Sequence, residues 1–217
     1  MSTLVNGVPD FLYKSAAIDP QLFPVIQEEA YALFLKMYAM VKHDKRIFYY
    51  FEDFKNQFGD LAVHCPVLFG ELRRLKIHTL FDRMLFVQNY YNREKPMPAH
   101  RDHPDEFNYD HFGLNIPVRG YQGSYTVFYD GDIDPDPLSW DKDAQGTQNI
   151  ATALLGKPHT LREIDRVETT GPMWINTYAL HAGRSDSENP RLILSLRFNS
   201  MQHIFDNGYF DEHLVAK

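Results

Sequence analysis

One cysteine, Cys65, stands in a chain of 217 residues. With no second thiol there is no internal disulfide and no thiolate cluster for zinc. Stability therefore has to come from packing, and a reducing, cytoplasmic setting is the expectation. Positive charge is in short supply as well: 22 Lys and Arg against 29 Asp and Glu give a formal net charge of -7. That balance argues against a broad electrostatic footprint for nucleic acid or for an anionic membrane. No apolar run approaches the ~18 residues that a spanning helix requires. The opening stretch MSTLVNGVPDFLYK has neither the basic region nor the apolar segment of a signal peptide. Neither a leader nor a membrane span is expected.

Apolar and aromatic residues are plentiful. The hydrophobic fraction is 44%, with 16 Phe and 13 Tyr, which supports a real buried core and excludes a disordered chain. With no repeat and no linker composition, residues 1–217 are expected to form one domain. Residues 1–80 are expected to be a helical support, 81–200 a β core, and 201–217 a C-terminal extension. In the first region Ile26, Ala30, Leu33, Phe34, Met37 and Val41 recur at helical spacing after Asp19 and Pro20 or Pro24. A second helix is expected in HCPVLFGELRRLKIH, with Val67, Leu68, Leu72 and Leu75 along one side. The aromatic-rich segment 44–60 carries no assignable period.

From about residue 80 the period changes to two. RMLFVQNYY, MPAHRDH, FGLNIPV, SYTVFYD, TLREIDRVETT, MWINTY and RLILSLRF are β-favouring segments divided by turn residues. Many short strands at this spacing predict a sandwich or jelly roll, mostly β with N-terminal helices. Between them lies an acidic, proline-punctuated insert, GDIDPDPLSWDKDAQGTQNIATALLGKP. Its Asp130, Asp132, Asp134, Asp136, Asp141 and Asp143 superficially suggest a calcium loop. Pro135 stands where such a loop needs glycine and Asp141 where it needs glutamate, so a solvated loop or a lid is expected.

Two His-x-Asp pairs sit side by side in HRDHPD. Residues i and i+2 of a strand point the same way, so either pair could offer an imidazole and a carboxylate to one ion. Pro104 lacks an N–H and tends to end a strand, which favours His100 and Asp102 over His103 and Asp105. A third ligand has to come from elsewhere, and His181 lies between two strand signals. Two histidines and one carboxylate on one face of an ion form the non-haem Fe(II) arrangement, with positions left open. Alternation in RLILSLRF puts Arg191, Ile193, Ser195 and Arg197 on one face and four apolar residues on the other. Either the first face lines a polar cavity, where a guanidinium would grip a carboxylate, or the strand is an edge with solvated arginines.

His100-x-Asp102, His181 and then Arg191 together resemble the Fe(II)/2-oxoglutarate-dependent oxygenases. QNYYNREKPMPAHRD, FGLNIPV and WINTYALHAGRSDSENPRLILSLRF are similar to that family's strands around its motif, over roughly residues 83–200. The resemblance implies a double-stranded β-helix (jelly roll, cupin-like) with Fe(II), 2-oxoglutarate and O2 as cofactor and co-substrates. On that resemblance His100, Asp102 and His181 hold the iron and Arg191 binds the distal carboxylate of 2-oxoglutarate. Tyr91 and, more weakly, Ser195 contact the same molecule, and Arg197 competes for it or forms a nearby ion pair. The implied reaction is hydroxylation of a small molecule, amino acid or peptide side chain, with succinate and CO2 released. NYY before the motif and the Arg191-x5-Arg197 spacing also resemble the AlkB-type nucleic-acid demethylases, against which the acidic balance argues. A cupin-like metal- or ligand-binding protein without oxidative chemistry is the third reading. His103, His111 and Trp140 are candidate rim or substrate contacts, whereas His159, His203 and His213 are expected to be structural or on the surface.

Overall fold

The computed structural model describes residues 4–5, 8–9, 11–40, 48–50, 61–89, 98–102, 112–135, 138–139, 152–186 and 191–198. The chain begins with a two-residue ladder, β1 (Leu4–Val5) against β2 (Val8–Pro9), followed by β3 (Tyr13–Ser15). Helix α1 (Phe23–Met40) then carries Ile26, Ala30, Leu33, Phe34 and Met37 on its buried side, as their spacing dictates. Val41, the last of that series, lies outside the described residues. After β4 (Phe48–Tyr50) come α2 (Leu61–His64) and α3 (Pro66–Arg74). Pro66 opens α3 where a missing N–H costs nothing. The Glu29 carboxylate of α1 accepts from the amides of Val67 (3.1 Å) and Leu68 (3.2 Å), capping the helix. Leu68, Leu72 and Leu75 are buried, while Val67 is only partly so.

The remaining strands are β5 (Phe81–Asn89), β6 (His100–Asp102), β7 (Phe112–Arg119), β8 (Ser124–Asp130) and β9 (Leu138–Ser139). They continue with β10 (Thr152–Leu155), β11 (Arg162–Glu168), β12 (Met173–Asn176), β13 (Leu180–Ser185) and β14 (Arg191–Phe198). All pairings are antiparallel and form two six-stranded sheets, β3-β12-β7-β14-β5-β4 and β11-β8-β13-β6-β10-β9. The described part is thus mostly β. From β5 to β8, and again from β11 to β14, the chain passes to the other sheet at every step.

The first sheet is covered on both faces. Outward from it, Leu114, Ile116, Val118, Leu192, Leu194, Leu196, Phe198 and Trp174 join the apolar sides of α1 and α3 in one cluster. Met173 and Ile175, on either side of Trp174 in β12, point the other way and pack with Phe128 of the second sheet. Tyr13 of β3 stacks on Phe128 at 5.8 Å, again joining the sheets. Leu194 is fully buried, and truncating such a residue to alanine costs about 2–5 kcal/mol.

Two expectations need correction. Residues 1–80 are not simply helical: β3 and β4 lie there and form the two edges of the first sheet. Aromatic and β-branched residues reveal a strand only when they alternate, and FYY at β4 does not. The acidic insert is also more than a loop, because β10 pairs with β6 in the register Leu155↔His100 and Ala153↔Asp102. No helix among the described residues is long and apolar enough to cross a membrane.

Candidate metal centre

The chain delivers its ligands from adjacent strands of the second sheet. Within β6, His100 and Asp102 share a face, and β13 sets His181 directly opposite His100. The ligand atoms of these three residues lie within 4.8 Å of one another, and among the described residues no other such cluster exists. β6 ends at Asp102. His103, Pro104, Asp105 and His111 lie outside the described residues, as do Tyr91, Trp140, Asp136, Asp141, Asp143, His203 and His213. His159 is exposed in a turn. Asp130 of the insert pairs with Arg162 at 3.0 Å.

Both imidazoles are oriented by backbone carbonyls two residues earlier. His100 Nδ1–H donates to Pro98 O (3.0 Å) and His181 Nδ1–H to Ala179 O (2.9 Å). A carbonyl can only accept, so each ring carries its proton on Nδ1 and its lone pair on Nε2, the tautomer a metal needs. The turn that supplies Ala179 is organised by Asn176. Its Oδ1 accepts from the amides of Tyr178 (3.0 Å) and Ala179 (3.3 Å), and its Nδ2 donates to Phe11 O (3.0 Å). The N-terminal segment thereby fixes the second histidine, a role that no local pattern in it reveals.

Burial keeps the rings neutral. His181 is driven down to about 4, first by desolvation and then by the neighbouring His100. His100 is lowered for the same leading reason. Around Asp102 the balance goes the other way: desolvation would raise its carboxyl, but Arg197 and the two histidines hold it below the usual range. The backbone of Asp102 is tied down too, its amide donating to Thr177 O at 3.0 Å. Two neutral imidazoles and one carboxylate fit an Fe(II) site, which uses this donor set on one face and keeps positions open.

β14 supplies the arginines. Its apolar residues Leu192, Leu194, Leu196 and Phe198 belong to the helix-side cluster, so Arg191, Ile193, Ser195 and Arg197 face the second sheet. This strand lies between β7 and β5, so the solvated-edge alternative is excluded. Arg191 is 6% exposed, its Nε has no hydrogen-bond partner, and among the described residues no carboxylate pairs with it. Desolvation alone drags it down to about 10. Arg197 has a partner in Asp102, with Nη2 3.0 Å from Oδ2. Ser195 is engaged as well, its hydroxyl donating to Asn115 Oδ1 at 2.6 Å. Asn115 and Gly113 had no place in the motif reading. Alternation in FGLNIPV, which puts both opposite Leu114, Ile116 and Val118, was the available signal.

No known family model matches this sequence, and no curated protein matches it. Among solved structures, the chain is similar to the non-heme alpha ketoglutarate dependent epimerase SnoN from nogalamycin biosynthesis, at 10% identity and a TM-score of 0.41, over 86% of this chain and 76% of that one. It is similar to AviO1 from Streptomyces viridochromogenes Tue57, at 12% identity and 0.41, over 87% and 90%. HygX from Streptomyces hygroscopicus, with nickel and 2-oxoglutarate bound, matches at 13% identity and 0.38, over 87% and 82%. Similarity this low carries no inference about the site.

Proposed function

We propose that this protein is an Fe(II)- and 2-oxoglutarate-dependent oxygenase on a double-stranded β-helix, hydroxylating a small molecule, amino acid or peptide side chain. The strand order favours that architecture, since from β5 to β8 and from β11 to β14 consecutive strands cross between two antiparallel sheets. The observation that carries the functional reading is the buried Arg191, a guanidinium without a carboxylate partner among the described residues. An unpaired buried charge is costly, and chains keep one where a ligand of opposite charge completes it. It lies on the face of β14 that carries Arg197, which contacts the ligand cluster.

His100, Asp102 and His181 would hold the iron through two Nε2 atoms and one carboxylate oxygen. Iron, when bound with 2-oxoglutarate and O2, supplies oxidative chemistry that yields succinate and CO2 and hydroxylates a C–H bond. The chain's own contribution is positional. Pro98 and Ala179 fix the imidazole tautomers, and Arg191 receives the distal carboxylate of 2-oxoglutarate in a bidentate grip. The family resemblance also gives Tyr91 as a contact of the co-substrate. Ser195 orients Asn115 and so acts on the pocket at one remove. Phe128, 6.5 Å from the His181 ring, gives the centre an apolar wall that limits water.

Purified protein supplied with Fe(II), ascorbate and 2-oxoglutarate should form succinate, at least slowly without substrate. Anaerobic addition of 2-oxoglutarate to the Fe(II) protein should give a weak visible charge-transfer band. Undiminished succinate formation in His100→Ala, Asp102→Ala and His181→Ala would rule the assignment out.

A further inference from the structure

Resting on that reading, we infer that Arg197, seated on Gly113, sets the charge of the metal centre so that its open positions favour an anion. The two oxygens of Asp102 are divided between different partners. Oδ2 lies 3.0 Å from Arg197 Nη2, reached from the other sheet, while Oδ1 faces His100 Nε2 at 3.6 Å. One oxygen is therefore occupied by a cation of the chain itself, and the other is directed at the ligand cluster.

The seat is as specific as the pair. Gly113 is the β7 partner of Arg197 in the β7–β14 ladder. A Cβ at Gly113 would fall 2.9 Å from Arg197 Nη1, 3.1 Å from its Cδ and 3.1 Å from the Leu196 carbonyl oxygen. The guanidinium thus lies against bare backbone, and any larger residue there would push it away. Nη1 is buried and makes no hydrogen bond among the described residues, so the ion pair through Nη2 and this contact position the side chain.

The consequence follows from formal charge. Two neutral imidazoles and one carboxylate carry a single negative charge, and a divalent ion leaves the centre with one net positive charge. The guanidinium of Arg197 adds another. Like charges repel, so the arginine weakens metal binding; it strengthens the attraction for an anion entering the remaining positions. A neutral residue at 197 would reverse both effects.

Azide titrated into the Co(II)-loaded protein and followed by visible absorption tests this, because azide bears one charge and has no carboxylate to engage Arg191. Arg197→Met should weaken azide at least 10-fold while binding Co(II), measured by calorimetry, at least as tightly as the wild type. Arg197→Lys, which keeps the charge without the fork, should fall between them. Gly113→Ala should weaken azide by displacing the guanidinium without altering the charge count, and it carries the test if Arg197→Met does not fold. Wild-type azide affinity in Arg197→Met or Gly113→Ala, or loss of Co(II) binding in a folded Arg197→Met, overturns the inference. Succinate formation is independent of this series: its absence alongside weakened azide binding would remove the oxygenase reading and leave the role of Arg197 standing.

Discussion

His181 and His100 are direct partners across the β13–β6 ladder, their ring centroids 4.6 Å apart. Two buried imidazoles this close cannot both carry charge, which gives the metal-free protein a specific acid sensitivity. The native pKa of His181, about 4, lies below its ordinary value near 6.5, so the unfolded state binds protons first. The stabilisation is therefore complete above pH ~6.5 and is lost as pH falls towards 4. From His181 alone the loss amounts to roughly 3 kcal/mol. Urea unfolding of metal-free protein from pH 7 to 4 should show this decline, and His181→Gln should flatten it. An equally steep profile in that variant would contradict the assignment.

Removing any one of His100, Asp102 or His181 leaves two donors, too few to hold a divalent ion against water. Alanine at each position should cut Co(II) affinity at least ~100-fold by calorimetry, with the circular dichroism spectrum unchanged.

On the proposed reading, Arg191 places function and stability in opposition. Replacing its buried charge, which has no carboxylate partner among the described residues, with methionine should raise the stability of the ligand-free protein by about 1–3 kcal/mol. The same change should weaken 2-oxoglutarate binding at least ~100-fold by loss of the bidentate grip. Thermal unfolding and calorimetric titration on one sample pair would check both, and a variant that is less stable yet binds normally refutes the role.

The contact between Glu29 and the start of α3 is purely structural. Glu29→Ala leaves the Val67 and Leu68 amides without their acceptor. A loss of about 1–2 kcal/mol is expected in denaturant unfolding, with Co(II) affinity unaltered.

The sequence announced some of this directly. Leu192, Leu194, Leu196 and Phe198 alternate with Arg191, Ile193, Ser195 and Arg197 because one strand face meets the helices and the other the second sheet. That period survives in the sequence because each position sees only one environment. His100 and Asp102 were legible for the same reason, being two apart on one strand. The pairing of Arg197 with Asp102 was not, since it joins two sheets and depends on how the chain crosses between them. Neither was β3, whose three residues are too few for a period and which becomes a strand by pairing with β12. Asn176 was hidden likewise, because its amide is committed to the carbonyl of Phe11, far away in sequence.

The two-sided burial of β14 has a dynamic consequence. Its amides lie in the middle of the first sheet, with helices over one face and the second sheet over the other. They should exchange with deuterium only through global opening, whereas those of the exposed edge strand β11 should exchange through local fluctuation. The guanidinium of Arg191 is thus borne by one of the slowest-opening segments of the molecule. Co-substrate capture would then end abruptly at the unfolding temperature instead of fading below it.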